Sequence, residues 1–293
     1  MITILKKELA DYFTSIRCLV LFLLVMLASA GALYASLQGI RSSNTSAEFV
    51  FLKLYITSGE SIPSFVSFVP LFVAIIGITL GFDAINSERS RGTLIRILSQ
   101  PVYRDSIING KFLAGIITLS IMMGTAMLVI AGYGLRAIGV PPSAEEIVRL
   151  FIYYISTIVY GGFWLSLSIL FSLLFRRIAI SLLSSIALWL FFSFFWVDLI
   201  VPAIASTTES LLILQRISPS TLFGEITTVL LLPVWRGAGL LTAGEELSYM
   251  IANPLSLGQS LLLIWPHLTA LLSLTAICFG ISYIIFMKQE IRP

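Results

Sequence analysis

Asp83, Glu88, Arg89, Arg91, Arg96, Arg104, Asp105 and Lys111 crowd into positions 83–111, in a chain of 293 residues with only 18 basic and 15 acidic side chains. Inside that charge sits a short helical pattern. Thr93 can cap its start, Leu94, Ile97 and Leu98 fall at i, i+3 and i+4, and Pro101 forbids its continuation. A solvated loop accounts for the charge. It leaves unexplained a capped apolar face held away from lipid, which has the form of a docking surface for another protein.

No catalytic constellation accompanies it. The chain has no G-x-S-x-G, no H-E-x-x-H and no pair of carboxylates in mid-span, so an intramembrane protease is disfavoured. The single His267 excludes a histidine-rich metal site, and Cys18 and Cys278 read as small hydrophobes in apolar stretches. Lys111 follows Gly110, but the rest of a Walker A loop is missing, so any ATP chemistry must belong to another polypeptide. Polar character within the apolar runs comes from hydroxyls such as Tyr153, Tyr154, Ser156, Thr157, Ser166, Ser168 and Ser172. Many of these are expected to back-bond to helix carbonyls or to let helices approach closely.

The elements that position these residues follow from composition. Apolar residues make up 58% of the chain and charged ones 11%, with mean hydropathy +1.00. A water-soluble chain of this size could not hide so much apolar surface. A net charge of +3 offers no basic excess suited to nucleic acid. Uncharged runs long enough to cross a bilayer predict six transmembrane helices at about 18–40, 62–82, 112–135, 150–175, 178–200 and 265–287. Pro266 places the start of the last span near 265, with Pro254 and Gly258 marking a turn before it. Ala28-Ser29-Ala30 has the small residues of a signal-peptidase site. The preceding stretch carries Glu8 and Asp11, and the apolar run continues past Ala30, so an uncleaved span is expected.

With both termini inside, twelve Lys and Arg lie on the cytoplasmic side and six outside. That bias predicts cytoplasmic termini in the cell membrane and places the 83–111 loop in the cytoplasm. Ile2, Leu5, Leu9, Phe13 and Ile16 share helical spacing, so residues 2–16 are expected to lie in the interface. Outside, Ser143 and Glu146 form an S-x-x-E capping box before the fourth span. The segment 201–264 contains the apolar stretch 229–235, too short to cross and interrupted by Pro233. It is expected to be helical, re-entrant or interfacial. The fold class is therefore an all-α integral membrane protein, one transmembrane domain over 1–293.

The ordered set Glu88-Arg89-Ser90-Arg91-Gly92-Thr93-Leu94, Leu98-Ser99-Gln100-Pro101-Val102-Tyr103-Arg104 and Gly110-Lys111-Phe112 resembles the membrane subunit of ABC-2 type ATP-binding-cassette transporters. Lys6-Lys7-Glu8-Leu9, Ile217-Ser218-Pro219-Ser220 and the closing Phe286-Met287-Lys288-Gln289-Glu290-Ile291-Arg292 extend the resemblance along the whole chain. The resemblance implies a permease that pairs with a second copy or a homologous permease and binds a separate cytoplasmic ATPase, which carries the ATP and Mg. It makes 2–16 an elbow helix and 92–98 a coupling helix. The residues implied to engage the ATPase are Glu88, Arg89, Arg91, Gly92, Thr93, Leu94, Ile97, Leu98, Pro101 and Arg104. Export is the implied activity, and service in metal-cofactor maturation or mechanotransmission is the alternative. No substrate is readable, and no methionine- or histidine-rich copper path is present.

Overall fold

Among residues 2–42, 49–59, 62–90, 92, 103–232 and 255–288, which the computed structural model describes, all regular structure is helical. Six helices are long and apolar enough to cross a membrane. The first helix, α1 (Ile2–Thr14), breaks sharply into the first spanning helix, α2 (Ile16–Ser42). One hydroxyl makes the corner: Ser15 Oγ donates to Tyr12 O at 2.9 Å and accepts from Cys18 N at 3.2 Å. It thereby satisfies backbone groups that two abutting helix ends would otherwise leave open.

A short helix, α3 (Val50–Ile56), precedes the second span, α4 (Phe65–Gly81). A turn leads to the five-residue α5 (Asn86–Ser90). The third span, α6 (Arg104–Ile138), starts eight residues before the expected 112 and ends at Gly139, whose φ of 74° is the left-handed conformation glycine favours. The fourth, α7 (Ala144–Leu174), opens on the capping box: Ser143 Oγ accepts from Glu146 N at 3.2 Å and Glu146 Oε2 from Ser143 N at 2.8 Å. The fifth, α8 (Ile178–Ile204), is α-helical to Leu190 and π-helical over Phe191–Ile200. Two shorter helices follow, α9 (Thr208–Gln215) and α10 (Pro219–Leu231). The last, α11 (Leu257–Lys288), runs unbroken through Pro266. Gly258 therefore lies in its first turn and not in a bend before it, because Ser256 and Gln259 cap each other reciprocally at this point.

The centre of the bundle is α7, packed against α4 on one side and α11 on another, with α6, α8 and α10 completing its surround. Lipid offers no hydrophobic drive between helices, so close approach and hydrogen bonds must hold them. Gly77 and Gly81, four residues apart on α4, press on the α7 backbone. A Cβ on Gly77 would stand 2.7 Å from Gly161 O, and one on Gly81 2.8 Å from Leu165 O. Beside them Ser168 Oγ donates to Ile78 O at 3.0 Å, and Ser172 Oγ accepts from Ile85 N and Asn86 N at 3.0 and 3.1 Å. The hydroxyls of α7 thus fix where α4 ends and where α5 begins.

The obstruction at Gly77 and Gly81 is backbone, which cannot swing aside. Gly77→Ala or Gly81→Ala should lower the thermal midpoint of the detergent-solubilised protein, by an overpacking penalty of about 1–3 kcal/mol. Gly224→Ala, with nothing within 4 Å of the new methyl, should leave it in place or raise it slightly. Equal midpoints for all three variants would mean that α4 and α7 are not in backbone contact.

Candidate functional site

The resemblance points to the segment after α4, and the structure anchors its first part in a buried ion cluster. Lys111, in the second turn of α6, has only 4% of its side chain exposed, and its Nζ lies 2.9 Å from Glu8 Oε1 and 2.9 Å from Glu88 Oε1. Lys7 Nζ approaches the same two oxygens at 3.3 and 3.4 Å, with Asp11 Oδ2 at 3.8 Å. Three elements meet here: α1 supplies Lys7 and Glu8, α5 supplies Glu88, and α6 supplies Lys111. Two ammoniums against two inward carboxylates neutralise the cluster, which is the condition for burying charge at tolerable cost. Burial opposes the charge on Lys7, yet the Glu8 and Glu88 carboxylates outweigh it and raise its pKa above the usual lysine value. Burial, then the nearby Glu8, Asp83 and Glu88 carboxylates, push the Tyr12 phenol up as well. It stays a neutral donor to Leu80 O at 2.9 Å and ties α1 to the end of α4.

Local sequence explains why α1 can reach this position. Glu8 shares a face with Ile4 and Tyr12, one turn to either side, and that face turns inward. Ile2, Phe13 and Ile16 remain exposed. Gly110 receives Ile4, whose Cγ2 would stand 3.0 Å from any added Cβ. The Gly110-Lys111 pair therefore has a physical content: the glycine admits α1 and the lysine grips it.

Of the residues implied to engage a partner, Glu88 enters this cluster, and Arg89 lies beside it on α5, half-buried. Gly92 adopts a φ of +69°, its N–H returning to Arg89 O at 3.2 Å, and Arg104 is the first residue of α6. Arg91, Thr93, Leu94, Ile97, Leu98 and Pro101 lie outside the described residues. Glu8 and Lys111, assigned by sequence to the elbow and to the loop end, emerge as partners of Glu88. The available signal was an acidic residue on the inward face of an otherwise apolar helix.

The opposite end of the bundle is organised by the first turns of α7. Arg149 is fully buried. Its guanidinium donates to Glu145 Oε1 at 2.9 and 2.7 Å, to Leu230 O at 3.2 Å, to Ser260 Oγ at 3.0 Å and to Leu255 O at 2.6 Å, and it faces the Phe49 ring at 5.7 Å. Glu146 Oε1 accepts from Phe51 N and Leu52 N at 2.9 and 3.3 Å, at the start of α3. Phe49 itself sits at φ 54°, an unusual conformation for a bulky residue, held between these two side chains. Sequence placed Arg149 among outer-loop charges, and its burial was not foreseen.

Nearby, Glu225 of α10 pairs with Arg216 at 3.1 Å and with the ring Nε2 of His267. In the interior, Ser218 Oγ donates to Phe192 O at 2.9 Å, Ser193 and Ser220 hydroxyls meet at 2.7 Å, and Tyr160 reaches Ser220 at 3.2 Å. The Ser218-Pro219-Ser220 segment thus satisfies groups along the π-helical stretch, where the regular backbone ladder is displaced. Among the described residues, no three His, Cys, Asp or Glu side chains cluster as metal ligands would.

These observations define a multi-pass α-helical membrane protein with a buried ion cluster at the end bearing α1 and a guanidinium-centred clasp at the other. The family model of the ABC-2 family transporter proteins matches residues 2–291, and the chain belongs to that family. It is thus a membrane subunit of an ATP-binding-cassette transporter. No curated protein matches the chain.

Burial works to raise the Glu225 pKa, but hydrogen bonds from His267 and Arg216 prevail and lower it below its ordinary 4.5. A depressed carboxylate stabilises the fold fully above that ordinary value, and the contribution disappears as pH falls through the lower folded-state value. Thermal midpoints of wild type should therefore drop faster below about pH 4.5 than those of Glu225→Gln. Parallel pH profiles for the two proteins would show that the carboxylate is not held in its charged form.

Proposed function

We propose that the chain is the permease half of an exporter in the cell membrane, with both termini cytoplasmic. It pairs with a second copy or a homologous permease and takes its energy from a separate cytoplasmic ATPase that holds ATP and Mg. The contact runs through Glu88, Arg89, Arg91, Gly92, Thr93, Leu94, Ile97, Leu98, Pro101 and Arg104. Family membership supports the transporter role, and the two-to-one excess of Lys and Arg supports the orientation.

The observation that carries the coupling reading is the placement of Glu88. The segment leading into 92–98 is fastened through Glu88 to Lys111 of α6 and, through that ammonium, to Glu8 of α1. A push on the loop by a closing ATPase pair would reach α1 and α6 together, since both share one buried counterion. In this way a cytoplasmic displacement moves helix ends as a unit and changes how the spans pack, which is what alternating exposure of a path requires.

Leu94→Asp combined with Ile97→Asp should leave expression and membrane insertion intact, because neither residue is in a span. Losing two apolar side chains, each contributing ~1.5–3 kcal/mol when buried, should weaken ATPase association by roughly one to four powers of ten. The readout is co-purification with the ATPase, or hydrolysis that no longer drives transport. A double variant that assembles and transports at the normal rate would refute the docking role and leave 83–111 as a solvated loop.

A further inference from the structure

A half-enclosed cavity of ≈ 870 Å³ opens between α1 and the adjoining ends of α2, α4 and α6. Its inner lining is the buried cluster of Glu8, Glu88 and Lys111. Its outer lining includes Lys7, Asp11 and Arg17, each with about half or more of its side chain exposed. Ile16, Leu21 and Leu80 give it an apolar side. Ile16 is 80% exposed, and Leu19, Val20, Leu23 and Leu24 continue an exposed apolar surface up α2 from the same point. On a spanning helix such a surface faces acyl chains. The cavity is therefore placed where a headgroup sits, at the end of three spans, with hydrocarbon beginning at its rim.

Its charge selects the headgroup. Among the described lining residues the carboxylates of Glu8, Asp11, Asp83 and Glu88 outnumber the cations of Lys7, Arg17 and Lys111 by one. A purely anionic ligand would meet that excess unfavourably. A zwitterion fits: Lys7 and Arg17 can donate to a phosphate, and Asp11 and Asp83 can accept from a cation. A quaternary ammonium has no N–H to give these carboxylates and is instead bound by open aromatic faces. The nearby Phe82 ring already faces the Arg17 guanidinium at 5.5 Å. A primary ammonium can donate three hydrogen bonds.

We propose that this cavity binds the headgroup of a membrane phospholipid carrying a phosphate and a primary ammonium, a phosphatidylethanolamine, with its acyl chains along α2. The lipid fills the space beneath α1 and joins that helix to the bilayer beside the ion cluster. Only the membrane placement of the spans is needed for this, not the export reading.

The test is native mass spectrometry of the full-length chain in detergent with equimolar dioleoyl-phosphatidylethanolamine, -phosphatidylcholine and -phosphatidylglycerol. The ethanolamine lipid should be retained at least fivefold over either of the others. Asp11→Asn with Arg17→Gln should reduce that adduct about tenfold, and Asp11→Asn alone should abolish the preference over the choline lipid. Both side chains are largely solvent-exposed, so the fold should tolerate their loss. Acyl-free glycerophosphoethanolamine at the same concentration should not displace the lipid. Equal retention of all three lipids, a preference for phosphatidylglycerol or an undiminished adduct in the double variant would each overturn the proposal. Displacement by the acyl-free headgroup would also overturn it, since a soluble ligand would then account for the site.

Discussion

An ammonium withdrawn from water to the degree of Lys111 can persist only beside counter-charge, and two helices and one short turn converge to provide it. Removing a charge from water costs several kcal/mol, which is recovered only when geometry and hydrogen bonding are both good. Glu8 and Glu88 meet that condition at 2.9 Å each. The requirement constrains much else at this end of the molecule. The first helix must lie across α6, which Gly110 permits; α5 must start where Ser172 receives its N–H groups; and α4 must end where Tyr12 and Ser168 take its carbonyls. A displacement of any one element would strand a buried charge, so the group should move together or not at all.

The far end obeys the same logic with the charges exchanged. There a buried guanidinium needs acceptors, and Arg149 draws carbonyls from the end of α10 and from the residue before α11, while Glu146 captures the first N–H groups of α3. Both side chains project from the first turns of α7, so the helix at the centre of the packing also organises the loops around its start. The Gly77 and Gly81 contacts lock α4 against the same helix by proximity of backbones. Lipid contributes no drive for these associations, and fixed polar contacts and close packing replace it.

The number of spans and the all-helical class were legible because a charge-free, apolar run of about 20 residues has the length a helix needs to cross hydrocarbon. The capping box at Ser143 and Glu146 was legible because its partners are three residues apart. Lys111 and Arg149 were not. Their partners lie 23 and 103 residues away in one case and 81 to 111 in the other, and hydropathy treats both only as charges that end a span. The π-helical stretch was invisible for a different reason: its residues satisfy the apolar pattern of any span, and only the hydroxyls of Ser218 and Ser193 betray the altered backbone. The Gly-x-x-x-Gly spacing on α4 was available but has meaning only once α7 is known to face it.

The claim that matters most is that Lys111 joins α1 to the rest of the bundle through Glu8. A double-mutant cycle on Glu8→Gln and Lys111→Met, read as unfolding free energy in detergent, measures this directly. Lys111→Met alone should destabilise by about 3–5 kcal/mol, because two carboxylates are left buried with only the half-exposed Lys7 beside them. The double variant should be well short of the sum of the two single losses, with an interaction energy of at least about 1 kcal/mol. Losses that add to within about 0.5 kcal/mol would contradict the account, since independent side chains behave that way.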